Sequence, residues 1–306
     1  MSDVPFSLAT MLTSTGERAA ILVQDHYYWL DLASGGALSG GVRALFNHWD
    51  ASLARLGEIA DDCARDGRQS AALLQLHQVA LATPIRFPNK LICVGAVYSD
   101  HLLEMKLPAT RWPIMPFFIR APTTSLVGPG RTVHQPSMTK EFDWEIELVV
   151  VVGRQLTDAT PEQATAAIAG YCVGIDLTCR DLIDRSSPLG VDLVRAKSQD
   201  GMAPAGPVFR PAQFVGDPQQ LALKLWVNGD LKQNGTTANM LFPVSDQLST
   251  ISRYITLEPG DMVFTGSPAG SGGMSGRFLQ PGDHIRAEIS RVGTLEVEIL
   301  PPRVSR

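Results

Sequence analysis

The sequence predicts an α+β, β-rich protein in two parts: a small N-terminal α+β domain at residues 1–85 and a larger β-rich domain at residues 86–306. Three observations carry this. A length of 306 residues suits one large domain, or a large one with a small companion. From Leu91 onward, short β-branched runs bounded by Gly, Pro, Asn and Asp recur with few helical stretches between them. That pattern excludes a doubly wound sheet, which needs a helix after nearly every strand. Before Pro84, by contrast, one hairpin-like run is followed by helical spacing.

Each element follows from its residues. Ala19–Val23 and Tyr27–Leu30 flank Gln24-Asp25-His26 and predict a β-hairpin within residues 18–32. Val42, Leu45, Phe46, Trp49, Leu53, Leu56 and Ile59 recur at helical spacing and predict a helix over 42–63. A polar break follows, then a second short helix over Ala71–Val79. His26, His48 and His77 lack acidic neighbours at ligand spacing and read as structural or surface residues. Leu91–Gly95 predicts a buried strand and Tyr98–Glu104 a helix. Residues 105–116 are apolar and interrupted by proline; a lid, a packed loop and a dimer contact all fit them. Phe117–Arg120 and Lys140–Arg154 predict strands. Thr160-Pro161-Glu162 is a helix start, with a cap, a first-turn proline and an acid, and predicts a helix to about Ile168. Tyr171–Thr178, Ala222–Val227, Met262–Thr265, Ile285–Ile289 and Thr294–Leu300 predict strands, and Ser245–Tyr254 a helix. Asn228-Gly229 is a hairpin turn signal.

Composition narrows the function. A net charge of −5 without a basic stripe argues against a nucleic-acid partner, though a small anionic ligand needs only local positive charge or a metal. Residues 1–10 lack a basic-then-apolar signal, and no apolar run spans a bilayer, so no membrane association and a cytoplasmic location are expected. Cys63, Cys93, Cys172 and Cys179 are scattered without a Cys-x-x-Cys pair and read as buried thiols.

Four features bear on chemistry. Alternation on the strand turns Glu145 and Glu147 to one face and Trp144, Ile146 and Leu148 to the other. Taken alone, Glu-x-Glu reads as the polar face of an edge strand. His101 and Glu104 lie three apart on the predicted helix, where a carboxylate can fix an imidazole tautomer; alone they read as a surface pair. Asp176 sits in an apolar run and needs a partner, because an unpaired buried acid is costly. Arg180 and Asp181 could satisfy it, or a hard divalent cation shared with Glu145 and Glu147. The glycine-rich loop Gly266–Gly273 offers backbone donors for a carboxylate but lacks the lysine and the context of a nucleotide site.

Six ordered blocks raise these readings: Lys90–Gly95 with Tyr98 and Asp100-His101; Pro122–Pro129; Asp143–Leu148; Gly174–Asp181; Val227-Asn228-Gly229; and Thr256–Asp261 through Thr265–Gly270. Over Lys90–Ile289 the chain resembles the fumarylacetoacetate hydrolase family, in its acylpyruvate hydrolase and 2-hydroxyhepta-2,4-diene-1,7-dioate isomerase-like branch. The resemblance implies a mixed β-roll catalytic domain, a homodimer and a divalent metal, Mg²⁺ or Mn²⁺, with Ca²⁺ also admissible. It places metal ligands on Glu145, Glu147 and Asp176, the catalytic dyad on His101 and Glu104, an active-site lysine on Lys197, and substrate contacts on Tyr98, Arg180 and Ser267. Four positions depart from the family pattern: Arg120 replaces a usual Lys, Ile183 a frequent Gln, Gln199-Asp200-Gly201 a common Phe-Asp-Thr, and Val94 a carboxylate of the animal hydrolase. The expected activity is metal-dependent hydrolysis of a C–C bond in a β-diketo acid, in catabolism of small organic or aromatic-derived acids. Isomerase, hydratase and oxaloacetate-type decarboxylase reactions share the same enolate. The rival from another class is a non-catalytic 2-oxo-acid-binding protein.

Overall fold

The structure, a computed structural model, describes residues 3–75, 79–183 and 190–303. Along the chain run β1 (Phe6–Thr13), β2 (Gly16–Val23), β3 (His26–Trp29), α1 (Leu30–Ala33) and α2 (Trp49–Asp66). Then come β4 (Ala80–Leu81), β5 (Leu91–Val94), α3 (Ser99–Glu104), β6 (Phe117–Arg120), β7 (Leu126–Val127), β8 (Gly130–His134) and β9 (Phe142–Asp143). β10 (Ile146–Val152), α4 (Pro161–Ala166), β11 (Ile168–Ile175), β12 (Thr178–Cys179), α5 (Leu193–Lys197) and β13 (Ala203–Pro211) follow. The chain ends with β14 (Ala222–Val227), β15 (Asp230–Thr236), α6 (Val244–Ser252), β16 (Met262–Phe264), α7 (Gly272–Ser275), β17 (His284–Ile289) and β18 (Gly293–Leu300).

The main sheet has eleven strands, ordered β3-β2-β1-β13-β11-β10-β16-β5-β6, with β4 on β1 and β7 on β13. A second sheet runs β15-β14-β17-β18-β8, and β12 pairs with β9. Both large sheets are mixed: β16–β5, β13–β7 and β18–β8 are parallel and the other pairs antiparallel. This is the expected β-rich α+β fold.

The period-two side-chain pattern of β10 divides the core. Ile146, Leu148, Val150 and Val152 join the cluster facing the second sheet, which also holds Leu223, Leu225, Ile285 and Leu295. Val149 and Val151 face the opposite way, into a cluster with Trp49, Leu56 and Ile59 of α2. Being buried on both faces is why β10 is a continuous apolar run instead of an alternating one.

The N-terminal hairpin forms as expected, with β1 as an additional partner. The ladder crosses the expected boundary at residue 85: Leu8 of β1 registers with Phe209 of β13. The rings of Phe46 and Trp49 stack at 4.9 Å, and both meet Phe209 edge-on at 5.5 and 5.4 Å. Such aromatic pairs contribute about 0.5–1.5 kcal/mol each beyond area burial. The helix expected over 42–63 is divided, with a 3₁₀ segment (Val42–His48) preceding α2. The helix expected over Ala71–Val79 is absent at residues 71–75 and 79, where Leu73 bridges to Tyr28; its remaining residues, with His77, lie outside the described ones. The helix expected to run from Thr160 to about Ile168 stops at Ala166, its start fixed by a capping box between Thr160 and Gln163. Asn228 and Gly229 have φ of 52° and 86°, the left-handed pair a two-residue hairpin requires.

Candidate active site and metal centre

Topology assembles the site at one end of the main sheet. β10 runs antiparallel to β11 and β16, and β5 runs parallel to β16. The start of β10 therefore lies beside the ends of β11, β16 and β5, which bring Glu145 and Glu147, Asp176, the glycine-rich loop and α3 together. The strand expected over 140–154 is interrupted between β9 and β10, leaving Trp144 and Glu145 between them. The Asp176 N–H donates to the Glu145 carbonyl at 2.8 Å, locking two acids side by side.

Glu145, Glu147 and Asp176 are buried, and each offers a carboxylate oxygen within 4.8 Å of those of the others. Cations hold two of them. Lys197 Nζ donates to Glu145 Oε2 at 2.8 Å, Asp176 Oδ2 at 2.6 Å and Thr178 Oγ1 at 2.8 Å. Arg180 donates to Glu145 Oε1 at 2.5 Å and to Asp143 Oδ2 at 2.7 Å. Arg120, fully buried, donates to Asp176 Oδ1 at 2.6 Å and to the carbonyls of Met202 and Leu177. Among the described residues, Glu147 has no cation; the Gly266 N–H donates to its Oε2 at 2.7 Å. Gly266 has φ of +89°, and a Cβ there would lie 2.4 Å from Val97 Cγ2, so only glycine brings that amide to Glu147.

The electrostatics follow. Burial, then the charges of Asp176 and Glu145, push the Glu147 pKa well above the usual carboxylate range, against Lys197 and the Gly266 N–H. Burial also acts to raise Glu145, but Lys197, Arg180 and His101 outweigh it and hold that carboxyl below its ordinary value. For Lys197, burial acts to lower the pKa and the Asp176 and Glu145 carboxylates reverse it, so the net shift is upward. Lys197 is therefore a cation, not an amine nucleophile.

A hard divalent cation fits this donor set. Oxygen ligands at about 2.0–2.6 Å from one ion lie at most about 4–5 Å apart. The one acid without a counter-cation, Glu147, is also the one its acidic neighbours destabilise most.

The dyad forms as α3 predicts. His101 Nδ1 lies 3.3 Å from Glu104 Oε2, and the Gly270 N–H holds both Glu104 oxygens at 3.1 Å. His101 is close enough to Glu145 for its charge to lower that carboxyl's pKa. Tyr98 is fully buried, its hydroxyl has no hydrogen-bond partner among the described residues, and its pKa is raised by burial and then by Glu147 and Asp100. Ser267 is buried in the loop that holds Glu147. All nine residues singled out in the sequence thus fall at this end of the sheet.

One expectation changes in detail. Asp176 is paired by Arg120 and Lys197, while Arg180 goes to Glu145 and Asp143, and Asp181 accepts from Thr139 and the Lys140 N–H. Lys197, expected as an active-site lysine, lies buried at the end of α5. Residues 105–116 pack on α6: Arg111 pairs with Asp246 at 2.7 Å and stacks over Phe242, and the segment lines a cavity of about 800 Å³ that none of the nine residues borders. Sequence reasoning missed the positioning groups Asp143, Thr178 and Gln233. Asp143 sat inside a quoted block, and an acid that close to Glu145 was a usable signal; Gln233 carried none.

Comparison with known proteins identifies the family. The family described as Fumarylacetoacetate (FAA) hydrolase C-terminal matches residues 90–300. A human protein named oxaloacetate tautomerase FAHD2B, mitochondrial, is 33% identical over 303 residues, covering 95% of this chain and 92% of that protein. The maleylpyruvate hydrolase of Sphingobium sp. SYK-6, solved with manganese(II) and pyruvate, superposes with a TM-score of 0.76 at 26% identity, covering 97% of this chain and all of that one. The fumarylpyruvate hydrolase of Pseudomonas aeruginosa, solved with Mn²⁺ and pyruvate, gives 0.64 at 33% identity over 72% of this chain and 92% of that one. The chain belongs to the fumarylacetoacetate hydrolase family.

Proposed function

We propose that the protein is a divalent-metal-dependent enzyme that hydrolyses the C–C bond of a β-diketo acid of the acylpyruvate type. The observation that carries this reading is the part-buried His101–Glu104 dyad beside a buried triad of acids. Glu145, Glu147 and Asp176 would hold Mg²⁺ or Mn²⁺. Such an ion supplies Lewis-acid stabilisation of enolate charge when bound.

The chain's own residues supply the rest. Glu104, pinned by the Gly270 N–H, accepts the Nδ1 proton of His101 and leaves Nε2 as the basic nitrogen. His101 takes a proton from the water that attacks the distal carbonyl carbon. The C–C bond breaks, its electron pair passes to the pyruvate fragment, the acyl part leaves as a carboxylic acid, and the proton on His101 returns to the enolate carbon to give pyruvate. Lys197, held protonated, places a fixed cation beside the negative charge that develops. Tyr98, Arg180 and Ser267 orient the substrate in this scheme, and the enzyme works as a homodimer.

A second reading, keto–enol tautomerisation of oxaloacetate, is favoured by the name of the full-length human relative. It uses the same dyad to move a proton without breaking a C–C bond. One panel separates the two: pyruvate release from acylpyruvates and from oxaloacetate, and the oxaloacetate enol absorbance, with Mg²⁺ or Mn²⁺ and again with EDTA. Metal-dependent release from acylpyruvates supports the hydrolase. Enol interconversion alone supports the tautomerase, pyruvate from oxaloacetate alone a decarboxylase, and no turnover of any substrate removes both readings.

A further inference from the structure

Gln233 is fully buried on β15, in the second sheet, yet its side chain ends inside the site. Its Oε1 accepts the Ile146 N–H at 2.8 Å, the peptide between Glu145 and Glu147. Its Nε2 donates to Ser267 Oγ at 2.9 Å and to the Pro268 carbonyl at 2.8 Å. One amide therefore joins the strand carrying the acids to the loop whose N–H groups hold Glu147 and Glu104.

The orientation of this amide is forced. Ile146 N–H can only donate and the Pro268 carbonyl can only accept, so the oxygen of Gln233 must face Ile146 and its nitrogen must face the loop. Ser267 Oγ then accepts a hydrogen bond from Gln233 and cannot donate its own proton there. The only other protein acceptor near it among the described residues, the Pro268 carbonyl, lies at 3.5 Å, a long contact. The hydroxyl proton of Ser267 is left for a ligand.

We infer that Gln233 is a positioning residue that occupies one lone pair of Ser267 and turns its hydroxyl proton toward the ligand, so that Ser267 donates to an anionic or carbonyl oxygen of the substrate. This rests on the reading of the site as one for 2-oxo acids. It deepens that reading by naming the polarity of one substrate contact and the residue that sets it.

The test is pyruvate affinity by calorimetry on the Mn²⁺-loaded protein, with Mn²⁺ affinity measured separately by electron paramagnetic resonance. Losing a hydrogen bond to a charged group corresponds to about a tenfold loss of affinity. Ser267→Ala should raise the pyruvate Kd about tenfold, Gln233→Met by a similar factor, and Ser267→Thr by less than about threefold. In the double variant the losses should not multiply, because Gln233 acts through Ser267. Mn²⁺ affinity should stay within about threefold in Ser267→Ala. Gln233→Glu keeps an acceptor for Ile146 while facing Ser267 with oxygen, and should reproduce the loss if Gln233→Met does not fold. Multiplying losses, or either Gln233 variant folded and binding pyruvate as the wild type does, would overturn the inference. Wild-type protein that binds Mn²⁺ but no pyruvate would overturn the underlying reading and this inference together, whereas unchanged affinity in the variants removes this inference alone.

Discussion

Lys197→Met is the sharpest probe of the charge balance. The ammonium makes three hydrogen bonds, two of them to the buried carboxylates of Glu145 and Asp176. Its removal leaves Glu145 with Arg180, Asp176 with Arg120, and Glu147 with no cation among the described residues. Breaking a buried ion pair by deleting one partner costs about 3–5 kcal/mol, because the charge left behind has lost its solvent as well as its partner. In EDTA the variant should therefore melt lower than wild type by on the order of 10 °C. A divalent ion adds two positive charges at the same carboxylates, and saturation at a hundred times Kd adds about 2.7 kcal/mol to any form that binds it. The vacated oxygens of Glu145 and Asp176 bind that ion more tightly, so at one shared Mn²⁺ concentration the variant should gain more than wild type and the gap should narrow. Calorimetric melting of both proteins in EDTA and in Mn²⁺ makes the comparison. A loss below about 1 kcal/mol in EDTA, or a gap that Mn²⁺ leaves unchanged, would refute the reasoning that these acids share their charge between lysine and metal.

Further outcomes follow from the same geometry. Glu147 has a raised pKa, so its contribution to metal-free stability is complete below the unfolded carboxylate pKa and is lost as pH rises through the folded one. Glu147→Gln should remove that loss: in EDTA its melting temperature should gain on wild type with rising pH, and it should no longer bind Mn²⁺. A wild-type advantage that grows with pH would contradict the charge assignment. His101→Ala and Glu104→Gln should lower kcat by about 10²–10⁴-fold while Mn²⁺ affinity, read by paramagnetic resonance, stays within about threefold. Thr160→Ala removes the cap of α4 and should cost about 1 kcal/mol in urea denaturation with kinetics untouched, a control for stability effects remote from the site.

Much of this was readable from residue order. Alternation and turn chemistry located the hairpins and the apolar strand carrying the acids, because period-two burial and left-handed turn positions are local properties. The 3₁₀ segment before α2 and the missing helix at Ala71 were not readable, because helical spacing of apolar residues is also produced by a coil packing on a core. β13 escaped for another reason: Ala203–Pro211 contains Gly206 and three prolines, a poor strand signal, yet lies inside the main sheet between β1 and β11.

The sequence by itself determined the fold class, the family and the types of residue at the site. These rest on spacing within short windows and on blocks in a fixed order. Only the tertiary structure decided who partners whom. Asp176 takes Arg120 from fifty-six positions away and Lys197 from twenty-one, while Arg180, four positions off, turns to Glu145 and Asp143. Gln233 reaches the site from the other sheet. A buried charge selects its partner by distance in a low-dielectric interior, and that distance is set by strand register and sheet packing, which no local window of sequence contains.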